Sequence, residues 1–92
     1  MARYYFHIQD GHLFRDEDGT DLPDLASAET EASRVVAAHL RDHPREPWRD
    51  GDIVLTVADA SGLTLLSLTV IAQHSPAAGG PRLRRTDEPV SP

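Results

Sequence analysis

The sequence predicts a small α+β domain of β-hairpin, helix and β-hairpin (ββαββ), with a mainly antiparallel sheet and one helix packed on one face. Three observations predict it. Two pairs of β-rich runs each surround a turn-forming Asp and Gly, at Asp10-Gly11 and at Asp59 to Gly62. Between the pairs lies one stretch whose apolar residues recur every three or four positions. The whole chain has 92 residues, enough for one domain and no more.

Residues 4–9, Tyr-Tyr-Phe-His-Ile-Gln, are aromatic and β-branched, the composition of a strand. Asp10-Gly11 follows as a two-residue type I′ turn, which needs positive φ at both central positions. Leu13-Phe14-Arg15 starts the return strand. That turn sets Gln9 opposite His12, Ile8 opposite Leu13 and His7 opposite Phe14. An acidic stretch, Asp16 to Asp21, then holds a second turn at Asp18-Gly19, and Leu22-Pro23 leads towards the helix.

Asp24 is the expected N-cap, with Ser27 as the alternative. Ala28, Ala32, Val35, Val36, His39 and Leu40 form one stripe at helical spacing. Glu29 and Glu31 lie near the start, and Arg41 and His43 near the end, as the helix macrodipole favours. Pro44 and Pro47 stop the helix. A polar loop, residues 44–52, carries Trp48. The second hairpin runs from Ile53 to Ala58, turns at Asp59 to Gly62, and returns from Leu63 to Val70. From His74 the composition shifts to Pro, Gly and Arg without apolar period. Residues 1–73 are therefore expected to form the domain and 74–92 a disordered tail.

Composition narrows the function classes. Apolar residues make up 39% and charged residues 26%, ordinary for a globular protein. There is no Cys, which excludes disulfide staples and thiolate metal sites and fits a reducing compartment. No run approaches the roughly 18 apolar residues of a membrane span, and the N-terminus shows no apolar signal region. A cytoplasmic location is expected. The net charge is −6, which opposes binding to phosphate backbones. All nine basic residues are Arg, which suits phosphate and carboxylate sites, but the preferred explanation is codon bias in a GC-rich genome.

Several segments together carry a family likeness: Arg3-Tyr4-Tyr5-Phe6-His7, Asp10-Gly11, Asp16-Glu17-Asp18-Gly19, Leu22-Pro23-Asp24-Leu25 before an Ala-rich helix, and the Asp59 to Gly62 turn with its Leu-rich return strand. The arrangement resembles a small bacterial family, domain of unknown function 6894, over about residues 3–71. The resemblance implies the fold and a bacterial origin, and brings no activity with it. The layout is also similar, at the level of fold only, to antitoxin domains of the HicB type.

The candidate sites are few. An EF-hand loop starting at Asp16 would place Asp21 where glycine is required and Ser27 where a bidentate Glu is required, so the acidic stretch reads as a solvated turn. His39 and His43 share a helical face at a spacing that metal ligands use, with His7 or His12 as further donors, but the Glu of the H-E-x-x-H pattern is absent. No serine has the context of a nucleophile, and no Gly-rich loop could cradle phosphate. An enzyme is not expected, nor a cofactor. The predicted pairing puts Tyr5, His7 and Phe14 together on the sheet face away from the helix, and the second hairpin reads as apolar on both faces. The expectation is a non-catalytic interaction or regulatory module that uses an exposed sheet face or edge to bind itself, as a homodimer, or another protein. The alternative is a metal- or small-ligand-binding protein built on the histidines.

Overall fold

Strand β1 (Ala2–Gln9) is the seam of the sheet. It pairs antiparallel with β2 (Leu13–Phe14), with β3 (Thr20–Leu22) and with β4 (Ile53–Ala58), and β4 pairs antiparallel with β5 (Thr64–Val70). The strand order is β2-β1-β4-β5, with β3 beside the start of β1. Helix α1 (Leu25–Asp42) lies mainly over β1, β3 and β4, and a short helix α2 (Glu46–Arg49) follows it. The computed structural model describes residues 1–49 and 51–76, so most of the expected tail, from residue 77 onwards, lies outside the described residues. The architecture is the expected α+β arrangement, an antiparallel sheet with one main helix.

The first hairpin departs from the expected register. Gln9 pairs with Leu13 and Ile8 with Phe14, across a three-residue connection. Gly11 takes φ of 98°, while no non-glycine residue among those described has positive φ, which excludes a type I′ turn at Asp10. The cause is Asp10 itself. Its side chain turns inwards to His39, and its Oδ1 accepts the His12 amide at 3.2 Å. The extra loop residue shifts the return strand by one position, and a one-residue slip exchanges faces. Phe14 therefore joins Ile8 on the helix side, and Leu13 joins Gln9 on the outer side.

The acidic stretch is structural. Phe6 lies between the residues of β1 that β3 takes and those that β2 takes. There the Asp16 carboxylate replaces a strand: Oδ2 accepts the Phe6 amide, and Oδ1 accepts those of Asp18 and Gly19. Burial pushes the Asp16 pKa up, but the three amides outweigh it and hold the carboxyl below 3.8. Gly19, at φ of 75°, turns the chain back so that Thr20–Leu22 adds a third strand absent from the expected hairpin. Asp21 then pairs with Arg3 at 3.0 Å.

Asp24 caps α1 as expected, its Oδ1 accepting the Ser27 amide at 2.8 Å. The helix buries Ala28, Ala32, Val36 and His39, with Val35 and Leu40 partly buried beside them. It ends at His43, one residue before Pro44. Opposite it lie Tyr4, Phe6 and Ile8 of β1 and Ile53, Leu55 and Val57 of β4. The last three are fully buried, each contributing roughly 1.5–3 kcal/mol by leaving water. The second hairpin turns where expected. Gly62 has φ of 90°, its amide bonds the Asp59 carbonyl, and Asp59 Oδ1 accepts from Ser61 and Leu63. Residues 46–49, expected as loop, form α2, and Trp48 sits edge-on to His74 with centroids 5.1 Å apart.

Candidate functional site

Three places in the fold gather chemistry. The first is the contact between the tip of the first hairpin and the end of α1. His39 Nε2 and Asp10 Oδ2 stand 2.6 Å apart, with only 7% and 3% of their side chains exposed. Burial pushes the Asp10 pKa up, but the His39 hydrogen bond, the His12 amide and the charge of His39 hold it below 3.8. An ionised Asp10 can only accept, so His39 Nε2 carries the proton. Around the pair, His39 stacks on His43 at 4.5 Å and meets Phe14 edge-on at 5.3 Å. His43 Nδ1 donates to the His39 carbonyl.

The helix therefore brings His39 and His43 together, as their spacing predicts, and one ring nitrogen of each is held by a protein partner, His39 Nε2 by Asp10 and His43 Nδ1 by the His39 carbonyl. His7 and His12 do not join them in a ligand set. Among the described residues, no group of three or more His, Cys, Asp or Glu is placed to hold a metal ion. The missing signal was Asp10, which the sequence offers as a turn residue and the structure uses as the partner of His39.

The second place is an open groove of about 360 Å³ on the outer face, lined by Tyr5, His7, Arg15, Asp16, Glu17, Asp59 and Ala60. Tyr5 and His7 lie here as expected, and Phe14 does not, for the register reason given above. The groove's polar groups are largely committed. His7 Nδ1 accepts the Asp16 amide at 3.1 Å, Asp16 satisfies three amides, and Asp59 holds its own turn. The outer face is also less apolar than expected. Its central row is His7, Thr56 and Ser67, flanked by Gln9, Val54 and Thr69.

The third place is the β5 side of the sheet. No strand among the described residues pairs with the outer edge of β5. This edge is seven residues long, Thr-Leu-Leu-Ser-Leu-Thr-Val, without charge, proline or glycine. On its helix side, Leu66, Leu68 and Val70 are only partly buried, because α1 lies further in. A groove of about 240 Å³ runs there between Glu29, Ala32 and Ser33 of α1 and Leu66, Ser67 and Leu68. A second one, about 570 Å³, continues past Val70 between Leu40, Pro44, Pro47, Trp48 and Ile71. Leu65 and Ile71 are exposed beside them.

These features define a small open-edged antiparallel sheet domain with one main helix. The chain belongs to the family described as Domain of unknown function (DUF6894), which matches residues 3–72. The family assigns the domain no function, in keeping with the sequence. No curated protein and no solved structure matches the chain, and the likeness to HicB-type antitoxin domains is not shown. Among the described residues, no helix is long and apolar enough to cross a membrane.

Proposed function

We propose that the domain is a non-catalytic protein-interaction module that accepts an extended segment along the free edge of β5. The observation that carries this is the edge itself, seven uncharged β-forming residues with an apolar groove beside them. Sheet edges of this kind template pairing with another chain, and proteins that avoid it place Lys, Pro or a bulge on the edge. The pairing of β4 with β5 shifts register once, where Val57 pairs with Leu66 and Ala58 with Thr64, so Leu65 is an extra residue at the start of β5 and the edge from Leu66 to Val70 runs regularly. In strand addition, main-chain hydrogen bonds supply affinity and alternate side chains fill pockets. Leu66 and Leu68 mark where such a pocket lies. The committed hydrogen bonds of His39, His7, Asp16 and Asp59 support the absence of chemistry.

The test uses a labelled peptide copying residues 63–71, with terminal lysines for solubility, against the full chain at submicromolar concentration. A saturable rise in anisotropy, with slowed amide exchange confined to β5, is the expected result. No binding and unchanged exchange in β5 would overturn the reading.

A further inference from the structure

Resting on that strand-addition reading, we infer that the occupant of the β5 edge is a second copy of this chain, paired antiparallel about a two-fold axis through Ser67. β5 runs from Thr64 to Val70, so Ser67 is its midpoint, and this centre gives the longest overlap of the two copies, with the extra residue Leu65 of each near an end of the shared ladder. Centres at Leu66 or Leu68 shorten the ladder to five residues within the strand.

The side chains of two such copies also match. About Ser67, Leu66 of one copy faces Leu68 of the other, and Leu65 faces Thr69. Residues opposite one another in an antiparallel pair share a face. Leu66 and Leu68 both line the helix side, so four leucines meet in one patch that a monomer leaves partly exposed. The incoming Leu68 enters the groove between α1 and Leu66. Ser67 meets its own copy at the axis, on the outer face, where a small side chain leaves room. A two-fold contact must be self-complementary in this way, each residue meeting the partner of its own partner.

Each chain carries −6, so two copies repel over most approaches. The β5 strand is an uncharged window in that field. A basic partner would be drawn to the acidic turns instead, where Asp18, Asp21 and Glu17 are exposed. The result is one continuous sheet through β5 and its copy, with both helices on the same side.

The chain has no cysteine, so engineered thiols report the register without background. Opposed residues in an antiparallel pair lie about 4.5–5.5 Å apart between Cα atoms, within reach of a disulfide. Under mild oxidation the full-length Ser67→Cys variant is expected to form a covalent dimer. The Thr69→Cys variant is not, because its two copies stand about 14 Å apart along the ladder. Light scattering on the unmodified chain should give twice the 10.1 kDa chain mass. The Ser67→Lys variant, which opposes two like charges at the axis, should be monomeric with its thermal unfolding intact.

A monomer at 100 µM would overturn the second copy as occupant, and peptide binding to that monomer would leave the strand-addition reading standing. A dimer linked through Thr69→Cys and not through Ser67→Cys would overturn the register. A dimer linked through neither thiol, with no peptide bound, would overturn both readings.

Discussion

Replacing His39 with leucine should cost the domain a large part of its stability, and the reason is the carboxylate left behind. Asp10 is 3% exposed and held ionised by His39 Nε2 at 2.6 Å. His39→Leu keeps the volume and the helix propensity but leaves that charge buried with only the His12 amide. Breaking a buried pair by removing one partner costs about 3–5 kcal/mol. The lost ring contacts with Phe14 and His43 add about 0.5–1.5 kcal/mol. A domain of this size has about 4–11 kcal/mol in total, at roughly 0.05–0.15 kcal/mol per residue. Its thermal midpoint should fall by roughly 15–30 °C. Urea titration at pH 7 measures the loss directly. Adding Asp10→Asn to the His39→Leu variant should recover about 1–2 kcal/mol, because the amide removes the charge while still accepting from His12. A loss below about 1 kcal/mol for His39→Leu, unchanged by the second substitution, would refute a paired buried carboxylate at this site.

Three further outcomes follow from the same geometry. Asp10 and Asp16 both have folded pKa values below the ordinary 3.8, so the unfolded chain takes up protons first as pH falls. Their stabilisation is present above pH 3.8 and is lost as pH falls through the lower folded values; urea midpoints in acid should drop, and Asp16→Asn should remove part of that drop. Gly19→Ala should cost about 1–3 kcal/mol by thermal unfolding, since its Cβ would stand 2.8 Å from Arg3 Cγ and 2.9 Å from Tyr5 Cε2 at a φ of 75°. Phe14→Ala should destabilise by about 1 kcal/mol, and Leu13→Ala by less than about 0.5 kcal/mol, because only Phe14 packs on the helix side. The reverse ranking would restore the two-residue turn.

Much of the fold was legible because its signals are local. The Asp24 cap, the stripe from Ala28 to Leu40, the stop before Pro44 and the turn from Asp59 to Gly62 each depend on residues within a few positions of one another. Capping, helical period and left-handed glycine act at that range, so the sequence by itself determined the order of elements and most of their bounds. It also determined that β5 would carry no charge. The register of the first hairpin was not legible, because Asp10-Gly11 satisfies the local preference for a tight turn while His39, 29 residues away, competes for the Asp10 side chain. The chain inserts a loop residue there, and the Asp10 side chain reaches His39. That one choice decided which face received Phe14, and with it the makeup of the outer face. The strand order was likewise a tertiary decision. Placing β4 in the centre buries Ile53, Leu55 and Val57, the most apolar inward set, and it leaves β5 at the margin with an open edge. A sequence names the strands that can pair, whereas the competition for one helix-covered core decides which of them is left without a neighbour.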